Sequence, residues 1–232
     1  MKITALISSL VWLVIAGIGE TSAQETAGQA GAAVRPADPP LTEIISNVEQ
    51  RYDVPGFSAA FHQLSTIKAM DISDEASGKL FVKRPGKMRW EYQQPIPQVI
   101  ITNGNRLLIH RPEDNQVMLG KSPAFFGDGK GAGFLADIRV LRRKFEITPA
   151  PQVDPDLYAL RLRPLEDAIE LSEITLYISK ADFTVQQVVT TNTYGDQTAI
   201  ELIDSTFDAV PADHLFTLNI PEGADVLTLD EP

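Results

Sequence analysis

At 232 residues and a net charge of −11, the chain is long enough for one medium domain with a substantial core. Its acidity excludes a nucleic-acid binder that works by displacing counterions from phosphates. Cysteine is absent, so disulfides and a lipid-modified cysteine anchor are both excluded, and stability must come from packing and backbone ladders. The charge is unevenly spread: residues 24–144 carry 16 Lys and Arg against 13 Asp and Glu, whereas residues 145–232 carry 3 against 17. Such a split reads as a solubilising surface before it reads as a polarised docking surface.

Residues 1–23 begin with Lys2, run apolar from Leu10 to Ile18 and finish on the small residues Thr21, Ser22 and Ala23, the pattern of a cleaved secretory signal. The apolar run is short for a membrane anchor spanning about 30 Å of hydrocarbon. Residues 24–40, rich in Ala, Gly and Pro, read as a flexible tether, which leaves 41–232 as the folded domain. A helix is predicted from Thr42 as N-cap, with Leu41 as a staple and Ile44, Ile45, Val48 and Tyr52 on one face, ending before Pro55-Gly56.

From Phe57 the apolar residues alternate with period two. Strands are predicted near residues 57–67, 78–84, 88–93, 98–102, 106–110 and 116–121, and again near 145–148, 158–163, 173–179, 185–193, 198–207 and 215–220. Pro85-Gly86 suggests a type II turn in a loop longer than a two-residue hairpin, with Arg84 at its rim, and Asn103-Gly104 marks a hairpin. About a dozen strands at this spacing suggest one large curved antiparallel sheet or an incomplete barrel. Between the two sets, Phe125-Phe126 and a glycine-rich loop precede Phe134, Leu135, Ile138 and Leu141 at helical spacing, followed by Arg139, Arg142, Arg143 and Lys144. That helix reads equally as a movable lid or as a crossover covering one sheet face.

Reacting groups do not assemble into an enzyme. There is no Gly-x-Ser-x-Gly elbow, phosphate-cradling glycine loop or His-Glu-x-x-His, and His62, His110 and His214 are scattered in or beside strands, so no metal, cofactor or catalytic residue is expected. Lys79, Lys83, Arg84, Lys87 and Arg89 fit a solvated outer strand face with some docking role.

The run Gly78, Leu80 to Val82, Lys83-Arg84-Pro85, then Trp90 and Tyr92, followed by Pro95, Val99-Ile100-Ile101, Asn103-Gly104 and FTLNIPEG at 216–223, resembles the periplasmic lipoprotein carrier family (LolA-type). Where that family often carries an aromatic two residues before the tryptophan, this chain has Met88. The resemblance implies a mainly β domain with a few helices: a single curved antiparallel sheet of about eleven or twelve strands forming an incomplete, half-open β-barrel under a helical lid. It also implies a periplasmic, monomeric, non-enzymatic carrier. Such a carrier takes acylated lipoproteins from an inner-membrane ABC-type lipoprotein-releasing transporter to an outer-membrane receptor. The alternatives are an envelope-stress sensor, which in that family carries an extra C-terminal domain where this chain ends soon after its last strand, or a general periplasmic lipid-binding protein. On this reading Arg84 latches the lid through lid backbone. The lining residues are Leu80, Val82, Met88, Trp90, Ile101 and Leu107 from the sheet, with Phe134, Leu135 and Ile138 from the lid; which sheet face is concave is not legible, because residues 99–101 and 107–109 are apolar on both.

Overall fold

Where apolar residues alternate, strands form, and twelve of them join one sheet in a computed structural model that describes residues 38–122, 132–166 and 171–229. The expected leader, most of the tether, Phe125-Phe126 and most of the glycine loop lie outside the described residues.

The first six strands are β1 (Gly56–Ile67), β2 (Ile72–Lys83), β3 (Lys87–Gln94), β4 (Gln98–Asn103), β5 (Arg106–Arg111) and β6 (Gln116–Lys121). The second six are β7 (Phe145–Pro149), β8 (Leu157–Pro164), β9 (Glu173–Ser179), β10 (Val185–Thr191), β11 (Gln197–Thr206) and β12 (Asp225–Thr228). Their order in the sheet is β12-β6-β5-β4-β3-β2-β1-β11-β10-β9-β8-β7, so two meanders meet where β11 returns beside β1. The edges β7 and β12 do not pair, which leaves a half-open barrel. All pairs are antiparallel except β12 with β6, which is parallel. Register shifts at Ser58/Ala60, Ser77/Gly78 and Val185/Gln187 insert bulges, which raise local twist and bend the sheet.

Two expectations change at the turns. The predicted type II turn is a three-residue connection between Lys83 and Lys87 with a cis Arg84–Pro85 peptide, although Gly86 does take a positive φ of 63°. The predicted strand at 215–220 is instead a 3-10 turn, Asp213–Phe216, followed by irregular chain. Specific partners hold that turn off the ladder: Lys83 and Lys87 grip the Asp213 carboxylate at 3.0 and 2.8 Å, Arg89 Nη1 donates to the Leu215 carbonyl at 3.0 Å, and Phe216 is buried. The last strand is β12, further along.

Helix α1 (Leu41–Arg51) buries Ile44, Ile45 and Val48, as its spacing predicts. Its N-cap is Pro40, two residues before the expected Thr42, because the Pro40 carbonyl accepts from the Glu43 and Ile44 amides, and no side chain caps it. Tyr52 follows on the same face, edge-on to Phe57 and Phe207 with ring centroids 5.3 Å away in each case. The predicted helix over 134–144 is divided into a 3-10 turn, Gly133–Ala136, and a five-residue helix, Val140–Lys144. Asp137 causes the break: its backbone is extended, and its carboxylate accepts from the Arg139 amide at 3.2 Å and from Arg143 at 2.8 Å. Aspartate favours such local bonds over helix interior.

Candidate functional site

The ladder registers assign the faces. Phe57 pairs with Val82 and Ala59 with Leu80; Leu80 then pairs with Trp90, and Trp90 with Ile100, so these side chains share one side of the sheet. In the second meander Ile147 opposes Leu162, while Leu176 opposes both Leu160 and Val188, and these residues join the same apolar cluster. Helix α1 and the segment 132–144 contribute Ile44, Ile45, Val48, Phe134, Leu135, Ile138 and Leu141 to it. This is the covered, concave face, and the cover is two short elements rather than a second sheet.

Eight of the nine nominated lining residues meet there: Leu80, Val82, Met88, Trp90 and Leu107 from the sheet, with Phe134, Leu135 and Ile138 above, all buried in one cluster. Ile101 does not. It pairs with Arg89 and Leu108, on the opposite side from Trp90 and Ile100, and is buried outside that cluster on the face where the Asp213–Phe216 turn rests against β3 and β4. A strand apolar on both faces assigns either residue to either side, and only the register decides.

Over the first meander aromatics pack among the aliphatic residues: Phe61 lies edge-on to both Trp90 and Tyr92 at 5.0 Å. Tyr92 donates to Gln63 Oε1 at 3.0 Å, and burial pushes its phenol up to about 12. An apolar seam remains over the second meander, between Ile45 and Val48 of α1, Ile138 and Leu141 of the cover, and Ile147, Leu160, Leu162, Leu176 and Ile178 of β7 to β9. As packed, it holds a cavity of only about 10 Å³, room for at most one water. Glu49 is the single charged residue lining it. A larger depression of about 1040 Å³ lies open beside the β7–β8 loop, but Asp154, Asp156, Lys180, Gln187 and Glu201 line it alongside Tyr177, which suits water better than hydrocarbon.

Polar ties hold the cover in place. Arg84 directs its fork to the end of α1, where Nη1 donates to Asp53 Oδ1 at 2.8 Å and Nη2 to the Tyr52 carbonyl; among the described residues it makes no hydrogen bond to 132–144. Arg51 reaches Asp182 at 3.9 Å and lies 3.9 Å above the Phe207 ring. The Tyr52 hydroxyl accepts from the Val185 amide at 3.1 Å, and burial above all raises its phenol pKa. Halfway along α1, Arg142 of the cover donates to Glu49 Oε1 at 2.7 Å and to Ser46 Oγ at 2.8 Å. The sequence marks Arg142 only as a cation in a last turn and singles out neither Glu49 nor the β7 to β9 lining, although the alternation Leu160, Leu162 and Ile174, Leu176, Ile178 is there to see. Among the described residues no group of three or more His, Cys, Asp or Glu converges to hold a metal, and no helix is long and apolar enough to cross a membrane.

A half-open barrel whose apolar interior lies beneath a thin helical cover is the class of protein these features define. Residues 53–219 match the family model described as outer membrane lipoprotein carrier protein LolA, and the chain belongs to that family. It is 30% identical over 173 residues to the outer-membrane lipoprotein carrier protein of Chromobacterium violaceum, covering 75% of this chain and 81% of that one. It is 24% identical over 194 residues to the protein of the same name in Hahella chejuensis, covering 81% and 86%. A crystal structure of an uncharacterized conserved protein from Thermus thermophilus superposes with a TM-score of 0.53 at 14% identity, over 81% of this chain and 98% of that chain, a likeness of fold alone.

Proposed function

We propose that the protein is a soluble periplasmic carrier, not an enzyme, that takes the acyl chains of lipoproteins released from the inner membrane and delivers them to an outer-membrane receptor. The observation that carries this reading is the predominantly apolar concave face that, among the described residues, is closed by α1 and the segment 132–144. An acyl chain of about 15 methylenes is worth on the order of 12 kcal/mol at ~0.8 kcal/mol per methylene buried, so transit through water requires a container. Release requires that the container open again. A cover held by a few polar ties meets both demands better than a sealed core does. Arg84 serves this cycle by fixing the end of α1, so that the cover has a rigid post to close against.

The test is the cargo itself. Mature protein isolated from the periplasm should carry triacylated polypeptide identifiable by mass spectrometry. Free lipid alone favours the general lipid binder, and protein that never carries acylated material sinks the reading.

A further inference from the structure

We propose that acyl chains enter the concave face through the seam between α1 and the Ile138–Lys144 stretch, and that the Arg142–Glu49 pair is the gate at its mouth. This rests on the carrier reading above. The composition of the seam favours this route: behind Glu49 every residue lining it is aliphatic, and Leu160, Leu162 and Leu176 form its floor. Past the Arg142–Glu49 pair, no charged side chain among the described residues lines the way in.

The way the two elements are anchored favours it as well. The C-terminal end of α1 is tied to the barrel by Arg84, by Arg51 and by the Tyr52 hydroxyl. The helix Val140–Lys144 runs directly into β7, so it is tied through the chain. Among the described residues, the hydrogen bonds found between these two anchored elements come from one guanidinium: Arg142 bonds Glu49 Oε1, Ser46 Oγ and, at 3.4 Å, the Thr42 carbonyl, three points along one face of α1. Parting α1 from the Val140–Lys144 helix at this point breaks one side chain's bonds and no backbone ladder.

The restraint is also weak enough to open. Glu49 is 22% exposed and Arg142 39% exposed, so water replaces each bond as it breaks, which makes the pair a latch that yields rather than a lock. Arg84, by contrast, closes on a buried tyrosine's carbonyl and belongs to the fixed end.

The chain has no cysteine, so introduced pairs label cleanly. Glu49→Cys with Arg142→Cys, joined by a reducible bis-maleimide, should take up a pyrene-labelled hexadecanoic acid at least about tenfold more slowly than the unjoined protein, and reduction should restore the rate. The same spacer joining Thr66→Cys to Ser73→Cys, an exposed pair facing each other across β1 and β2, should leave uptake within about twofold. Arg142→Gln and Glu49→Gln should each speed uptake about two- to fivefold, the range for losing a partly exposed ion pair. The swapped double variant Glu49→Arg with Arg142→Glu should return the rate toward that of the parent. Unchanged uptake after joining 49 to 142, or in both glutamine variants, overturns the gate. If the unmodified protein takes up neither the probe nor an acylated peptide, the carrier reading fails first and the gate with it.

Discussion

Removing the Arg84 fork tests how firmly α1 is moored. The Tyr52 carbonyl is among those at the end of α1 that lack an intrahelical donor, and Arg84 Nη2 supplies one beside a tyrosine that is itself buried. A hydrogen bond from a charged donor to a carbonyl in such surroundings is worth about 1.5 to 3 kcal/mol. The partner bond to Asp53 adds less than about 1 kcal/mol, because that carboxylate is 70% exposed and water competes for it. Arg84→Leu should therefore cost about 2 to 3 kcal/mol and Asp53→Asn less than about 1. Arg84→Lys should recover about half, since an ammonium can reach one acceptor but lacks the planar fork for two. Urea unfolding reads this directly, and without residues 1–23 Trp90 is the only tryptophan to follow. Amide exchange over Leu41–Arg51 should quicken in Arg84→Leu while β8 and β9 stay protected. A stability loss under about 0.5 kcal/mol in Arg84→Leu, or one as large in Asp53→Asn, would show that the carbonyl bond does not moor the helix.

Other sites make sharper or cheaper tests. Lys87 and Lys83 hold the Asp213 carboxyl down to about 2, so its contribution is present above the unfolded value near 4 and is lost as pH falls through about 2; the gap in urea midpoint between wild type and Asp213→Asn should be full at pH 6, shrink below pH 4 and close near pH 2. An unchanging gap across that range would show that the ion pairs do not secure the C-terminal turn. Trp90 Nε1 is buried with no hydrogen-bond partner among the described residues, so Trp90→Phe, which removes that group while leaving a smaller ring, should fall within about 1 kcal/mol of wild type, whereas Trp90→Ala should cost about 3 to 5 kcal/mol. A Cβ on Gly78 would sit 1.9 Å from the Glu91 carbonyl oxygen, so Gly78→Ala must open the β2–β3 bulge, and a cost below about 1 kcal/mol in thermal unfolding would contradict that geometry.

Most of the sheet was legible because strand alternation is local. Residues 80–92 name their own strand faces, and once one residue is placed the pleat places the rest. The predictions that failed depended on long-range partners. The stretch 215–220 alternates well enough to be a strand, but Lys83, Lys87 and Arg89, from β2 and β3 more than a hundred residues earlier, hold Asp213 and Leu215 in a turn instead. Ile101 lies elsewhere for a related reason: a strand apolar on both faces carries no record of which face α1 and the segment 132–144 will cover.

The site was less legible than the fold because its features are relations between elements distant in the chain. Arg142 and Glu49 are 93 residues apart, and each alone is an ordinary surface charge on a short helix. What distinguishes them is that the aliphatic rows of β7 to β9 converge beneath the contact, and that convergence follows from β11 returning beside β1 rather than continuing the first meander. Arg84 illustrates the opposite case. Its motif predicted a latch, but how an arginine acts depends on what lies at the end of its fork, and here that is the close of α1. The two arginines thus differ in kind: one is set at a buried carbonyl where breaking the bond is expensive, the other at a wet rim where it is cheap. A cover that must open for hydrocarbon and close behind it needs one of each.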